Sequence, residues 1–265
     1  MAFLDVSRRE IAAPVRGEAP SAARRAVVIA IRDPKTQCAS GNLWELGLSA
    51  GIKPDALRAL DAIATKRKQF RKGSALYRAG DPFVALHAIR LGSCKTTILA
   101  EDGREQITGY HMHGDIIGLD GIATEKYGCE AVALEDTEAS ALPFDRLEEL
   151  ARAFPPLQHL LHGLLSRGIS HDQNMMLTLG SRKAEERLTG FLLNLSDRYT
   201  KRGYSSTEFV LRMTRAEIGS YLGLQLETIS RLFSRLERKG LIEFQGRCVR
   251  LCDLPSLRQL AGLRG

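Results

Sequence analysis

The stretch Thr214-Arg215-Ala216-Glu217-Ile218-Gly219-Ser220-Tyr221-Leu222-Gly223-Leu224-Gln225-Leu226-Glu227-Thr228-Ile229-Ser230-Arg231-Leu232 decides the fold of the C-terminal part of the chain. Thr214 and Glu217 stand three apart, the capping-box spacing that satisfies backbone donors at a helix start. Ile218 and Leu222 then fall on one helical face, Gly219 allows a second helix to approach closely, and Gly223 supplies a turn where a positive φ costs little. In the second helix Ile229, Leu232, Phe233 and Leu236 form the apolar face, which leaves Glu227, Ser230, Arg231 and Ser234 together on the other. The pattern predicts a helix-turn-helix with Glu227, Thr228, Ser230 and Arg231 toward double-stranded DNA. Arginine can donate twice to guanine, glutamate can accept from cytosine, and serine can do either.

Downstream, Gly240-Leu241-Ile242-Glu243-Phe244-Gln245-Gly246-Arg247-Cys248-Val249-Arg250-Leu251 reads as a β-hairpin turning at Gln245-Gly246. The hairpin makes the module a winged helix and places Arg247 to touch phosphate. Upstream, residues from about Pro156 to Leu179 carry a helical pattern in which Leu165, Ile169, Asp172, Met176 and Leu179 alternate by four and three, a coiled-coil-like seam. A second stripe of Leu157, Leu161 and Leu164 would pack the same helix onto the preceding domain, so periodicity alone does not force a dimer. Asp172 is an acid in the apolar seam. Across a twofold axis it would oppose its own copy and weaken association.

Between Phe70 and Phe144 the texture is short β-compatible runs punctuated by glycine, as in a β-roll or jelly roll. Expected strands are Ala75 to Tyr77, Leu86 to Arg90, Lys95 to Leu99, Gln106 to Tyr110 and Ala139 to Leu142, with Glu101-Asp102-Gly103-Arg104 as a hairpin turn. A helix is expected from Pro54 to Lys68. Residues 1–36 mix Arg, Ala, Pro and Ser without periodicity and read as a mobile basic leader. The expected organisation is α+β: leader 1–36, β-roll sensory domain 37–153, dimerisation helix 154–180 and winged helix-turn-helix 181–265.

The 265 residues are 44% hydrophobic and 26% charged, with a formal net charge of +7 that favours a polyanionic partner. No apolar run approaches the ~20 residues of a membrane helix, which places the chain in the cytoplasm. Five cysteines, Cys38, Cys94, Cys129, Cys248 and Cys252, are scattered and never spaced Cys-x-x-Cys, which argues against a disulfide framework or a zinc ribbon. Neither a His-Glu-x-x-His motif nor a phosphate-binding glycine loop occurs, and an enzyme is not expected.

These residues resemble the CRP/FNR transcription regulators, and within them the FNR-like branch. The resemblance rests on Glu227-Thr228-Ile229-Ser230-Arg231, Ala79-Gly80-Asp81, Ala88-Ile89-Arg90, Glu105-Gln106-Ile107-Thr108-Gly109, Gly114-Asp115, Ala184-Glu185-Glu186-Arg187-Leu188 and Tyr221-Leu222-Gly223-Leu224. It implies a cyclic-nucleotide-binding-like β-roll, a long dimerisation helix and a winged helix, acting as a homodimer on a palindrome. Glu227, Ser230 and Arg231 match the FNR reading triplet, so TTGAT half-sites are implied. Leu226 stands where the CRP branch has an arginine. Surface loops of the family contact RNA polymerase, and the turn at Glu101 to Arg104 is similar to one of them. Gln225 replaces the threonine cap of the FNR helix and is not a favoured cap.

The resemblance also implies a signal. Oxygen-sensing members hold an iron-sulfur cluster on four cysteines, whereas the matching positions here are Cys38, Gly41, Gly47 and Ser140. Such clusters need about four thiolates, so no cofactor is expected. Cyclic AMP is bound in the CRP branch by a glutamate after a glycine and by an Arg-Ser pair. Here Gly118-Leu119-Asp120-Gly121 and Cys129-Glu130 put carboxylates near the phosphate position. His111-x-His113 would point two imidazoles to one face of a strand, where an exposed pair near a turn is preferred to a metal site. The cysteine pair at the wing, Cys248 and Cys252, reads as structural. Control by haem, by a thiol or by an unidentified small molecule in the β-roll remains open, as does a ligand-binding module that does not act in transcription.

Overall fold

In the computed structural model the described residues are 54–263 except 102; the expected leader, Cys38, Gly41 and Gly47 lie outside them. Helix α1 spans Pro54–Ile63 and stops five residues before the expected end. The reason is tertiary: Thr65 N–H donates to Ala141 O at 2.8 Å and Thr65 Oγ1 accepts from Ala141 N–H at 2.9 Å. From there the chain continues as strand β1, Lys68–Phe70, against β8, Thr137–Pro143.

Two four-stranded sheets form the roll. One has the order β1-β8-β3-β6, with β3 Ala85–Leu91 and β6 Ile116–Ile117; the other is β2-β7-β4-β5, with β2 Ala75–Tyr77, β7 Glu130–Ala133, β4 Ser93–Leu99 and β5 Glu105–Met112. All pairings are antiparallel. The expected strands are present, each at least as long as the sequence suggested. Strands β1, β6 and β7 are additional: each is four residues or shorter, too short for a period of two to stand out.

The β4–β5 ladder carries a bulge, since Thr96 pairs with Gly109 but Thr97 pairs with Ile107. The extra residue shifts the alternation. As a result Ile107, Tyr110 and Met112 join one buried cluster with Leu134 and with the C-terminal residues Phe191 and Tyr221. The roll thus lends one strand to the core of the next domain.

Helix α2, Phe144–Ala153, closes the roll, and α3, Pro155–Ser181, follows with prolines in its first turn, where a missing N–H costs nothing. Its 27 residues span about 40 Å at 1.5 Å per residue. Leu157 and Leu160 are buried, and Leu161 and Leu164 pack on the cluster formed by Leu60, Leu86, Leu142 and Leu147. Farther along, Leu165, Ile169, Met176 and Leu177 are 38–68% exposed. Among the described residues, no helix is long and apolar enough to cross a membrane.

The C-terminal domain consists of α4 Ala184–Lys201, β9 Glu208–Val210, α5 Arg215–Leu222, α6 Leu226–Arg238, β10 Ile242–Gln245, β11 Cys248–Leu251 and α7 Leu254–Leu260. Strand β9, not expected from the sequence, pairs with β11 and completes a three-stranded sheet under the helices.

Candidate nucleic-acid interface

Helix α5 begins with the capping box in place: Thr214 Oγ1 accepts from Glu217 N–H at 3.2 Å, and Glu217 Oε2 accepts from Thr214 N–H at 2.8 Å. The same Glu217 carboxylate meets Lys95 Nζ of the roll at 2.8 Å. Partial burial pushes this carboxyl up, but Lys95 and the Thr214 donors outweigh burial and hold it below the ordinary glutamate range.

The helix ends at Gly223, whose φ of 62° is left-handed. Gly219 answers a different demand, because a Cβ there would stand 2.5 Å from Leu224 O. That close approach lets the chain turn directly into α6.

In α6 the residues Ile229, Leu232, Phe233 and Leu236 are buried. Glu227, Arg231 and Ser234 are exposed, and Thr228 and Ser230 are half-buried beside them. Arg231 Nε donates to Glu227 O at 3.4 Å, one turn back. The N-terminal half of α6 therefore presents a donor, a hydroxyl and a carboxylate on one surface. Toward the other end, Arg235 and Lys239 turn back to Glu185 of α4, at 3.9 and 2.8 Å. Gln225 makes no side-chain cap.

The wing departs from expectation by one residue. Gln245 pairs with Cys248, so the two-residue turn is Gly246-Arg247 rather than Gln245-Gly246. Gly246 has φ 64°, as such tight hairpins require, and Arg247 stands exposed at the tip.

On α3 the seam residues separate into two groups. Leu165, Ile169, Asp172 and Met176 are exposed. Leu179 is half-buried and faces the turn of the helix-turn-helix, where a Cβ on Gly223 would lie 3.3 Å from its Cδ2.

The histidine pair is not an exposed pair. His111 Nε2 lies 3.1 Å from Thr96 Oγ1, and burial lowers the ring to about 4. His113 lies past the end of β5 with its ring edge-on to Tyr204 at 5.5 Å. Ser140 is buried, and its Oγ accepts from Arg90 Nε at 3.3 Å. Asp120 Oδ2 accepts from Gly128 N–H at 2.8 Å and Cys129 N–H at 3.0 Å, while Glu130 faces Arg78 at 3.6 Å. Tyr77 and Tyr127 stack at 4.0 Å beneath this loop.

Burial, followed by neighbouring carboxylates, raises the Cys129 thiol to about 12 and also raises Cys94, Cys248 and Cys252. Cys252 is exposed, which makes it no part of the packing.

The docking of roll on helix-turn-helix was not legible beforehand. Ile107 N–H donates to Ser220 Oγ at 3.0 Å, Gln106 Nε2 donates to Ser220 O, and Arg212 meets Glu135 at 3.1 Å. Asp115 binds Arg198 at 2.5 Å and Arg202 at 2.6 Å. These partners lie 77 or more residues apart in sequence, where no periodicity links them.

Comparisons with known proteins agree with the geometry. Residues 67–154 match the family described as "Cyclic nucleotide-binding domain", and residues 186–260 match "Crp-like helix-turn-helix domain". The chain is 45% identical over 225 residues to "Transcriptional regulatory protein btr" of Bordetella pertussis, covering 85% of this chain and 93% of that protein. It is 42% identical over 229 residues to "Transcriptional activator protein anr" of Pseudomonas aeruginosa, covering 86% and 94%. The solved structure of FixK2 from Bradyrhizobium japonicum superposes with a TM-score of 0.69 at 29% identity, covering 77% of this chain and all of that one. With a helix-turn-helix whose polar face is open and relatives this close along nearly their whole length, the chain belongs to the CRP/FNR family of DNA-binding transcription regulators.

Proposed function

We propose that the protein binds, as a homodimer, a palindrome of TTGAT half-sites in cytoplasmic DNA and activates transcription through RNA polymerase, without an iron-sulfur cluster. The observation that carries this reading is the shared open face of Glu227, Ser230 and Arg231 on the first turns of α6. The exposed Leu165, Ile169 and Met176 support pairing of α3 with a second copy. The relative named as a transcriptional activator, and an exposed turn at Glu101, Gly103 and Arg104, support contact with polymerase.

The donor set does not fit an iron-sulfur cluster. Of the four positions implied by resemblance only Cys38 carries a thiol, and the Ser140 hydroxyl is already held by Arg90. Cyclic nucleotide fits no better. The Asp120 carboxylate takes the Gly128 and Cys129 amides, and Glu130 adds a second acid where a phosphate would need cations. The role is regulatory rather than enzymatic. Gly47-Leu48-Ser49-Ala50-Gly51 has the spacing of a hydrolase nucleophile turn, but that motif acts only between a strand and a helix with a histidine and an acid in reach; it lies outside the described residues.

A gel shift on a TTGAT-N4-ATCAA duplex against a scrambled duplex, in air and at stated salt, tests the proposal. A specific shift is expected; equal binding to both duplexes sinks it. The dimer has its own check. Asp172 is exposed between Ile169 and Met176, and Asp172→Ala removes a like-charge pair worth about 1 kcal/mol for unit charges 4 Å apart in water. The dimer dissociation constant should fall about fivefold in sedimentation equilibrium, and an unchanged constant contradicts the role of Asp172.

A further inference from the structure

One arginine outside the DNA-reading face joins the end of α3, the bend after it and the end of α5, where α3 and α5 also approach through His171 Nε2 and Tyr221 Oη at 3.5 Å. From α4, Arg187 donates through Nη2 to Leu179 O at 2.6 Å, through Nε to Arg182 O at 3.0 Å and through Nη1 to Leu222 O at 3.1 Å. Leu179 lies in the last turn of α3, Arg182 is its C-cap, and Leu222 is the last residue of α5. Carbonyls in such final turns have no partner within their own helix. The α3 helix cannot supply one, because Lys183 N–H turns away to Glu186 Oε2 at 3.2 Å.

The guanidinium also brings positive charge to the C-terminal ends of two helices at once, where the helix dipole favours a cation. Packing reinforces the link. A Cβ on Gly223 would lie 3.3 Å from Leu179 Cδ2 and 3.5 Å from Arg187 Nη1. The space between the end of the long helix, the turn of the helix-turn-helix and this side chain is therefore about what a single methyl group would fill.

We propose that Arg187 is a positioning residue that sets the angle between α3 and the helix-turn-helix, and through it the half-site spacing that the protein accepts. The proposal rests on the palindromic reading above. Its reach follows from leverage: α6 continues from the turn that Arg187 holds, so a small rotation there moves the reading face of each protomer relative to its partner. Lysine cannot replace the fork, since an ammonium on a flexible stem is a point donor, not a planar one.

The test measures affinity by fluorescence anisotropy for TTGAT palindromes with spacers of two to six base pairs and for a single half-site. Wild type, Arg187→Met and Arg187→Lys are compared, with melting curves to show that each is folded. Wild type should show one sharp spacer optimum. In both variants the affinity at that optimum should fall about 30-fold, while other spacers and the single half-site change less than threefold. Arg187→Lys, which keeps the charge, carries the test if Arg187→Met does not fold.

A wild-type optimum that the folded variants retain overturns the staple alone, and so does an equal loss on every duplex, which marks a structural role only. Wild-type protein without any spacer preference overturns the palindromic reading and the staple with it.

Discussion

Arg231→Ala is expected to erase the preference for TTGAT-N4-ATCAA over a scrambled duplex while leaving a folded protein that still binds DNA weakly. The side chain stands exposed on the N-terminal half of α6, and its one internal hydrogen bond, to Glu227 O at 3.4 Å, is long and solvent-facing. Its removal therefore costs little stability. At a base edge the same guanidinium can make two bonds to guanine, worth about 1–3 kcal/mol of discrimination, and a dimer makes that contact twice. The expected loss is about 2–6 kcal/mol, from tens of fold to roughly ten-thousand-fold in relative affinity. Arg247→Ala provides the contrast. Arg247 stands exposed at the wing tip; if its partner there is phosphate, its loss should weaken both duplexes alike and lower the salt dependence without changing preference. Competition gel shifts separate the two, and an Arg231→Ala protein that keeps its sequence preference refutes the assignment of the reading face.

The parts of this fold that were legible in the sequence are those determined within a few residues. Thr214 and Glu217 announce a helix start because the capping box is closed by residues three apart, and the structure makes both of its bonds. Gly219 and Gly223 mark the turn for two separate reasons, a carbonyl 2.5 Å from any Cβ and a φ of 62°. Strands β3 and β5 show up as the five-residue runs Leu86 to Arg90 and Gln106 to Tyr110, inside the seven and eight residues that the structure pairs.

What escaped was set by partners far along the chain. Lys68–Phe70 carries one apolar residue in three and becomes a strand because β8 pairs with it. The bulge opposite Thr96 and Thr97 cannot be read from β5, yet it puts Ile107 on the face of Tyr110 and Met112 in the C-terminal core, and His113 parts from His111 because β5 ends at Met112. Leu179 continues the heptad in sequence, but α3 is near its end there and the residue meets Gly223. Likewise Asp120 reads as a repulsive acid in the loop, whereas its carboxylate is satisfied by two backbone amides.

Asp115→Asn tests whether the roll and the winged helix behave as one body, as the described residues within a single compact unit suggest. The carboxylate sits just after β5, accepting Met112 N–H at 2.9 Å on the oxygen that also binds Arg198, while its other oxygen binds Arg202. Arg202 Nε adds a bond to His113 O at 2.7 Å. All three side chains are at most 23% exposed, so the amide leaves two poorly hydrated guanidinium groups facing a neutral group that can itself donate. Breaking a buried pair from one side costs about 3 kcal/mol or more, which for a domain of this size lowers the melting temperature by roughly 6–12 °C.

The pH dependence distinguishes lost charge from lost shape. Burial pushes the Asp115 carboxyl up, but Arg198 first, then Arg202, His111 and the Met112 amide outweigh it and hold the group below its ordinary value. A depressed carboxylate contributes stability that is complete above its unfolded pKa of about 4 and is lost as pH falls through the lower folded value. The melting gap between wild type and Asp115→Asn should therefore be constant from pH 7 to about 5 and close below about 4. A gap that persists unchanged at pH 3 would mean that the side chain acts by packing. In that case the roll is held to the C-terminal domain by Lys95 of β4 with Glu217 of α5 and by the hydrogen bond from Ile107 of β5 to Ser220 of α5 instead.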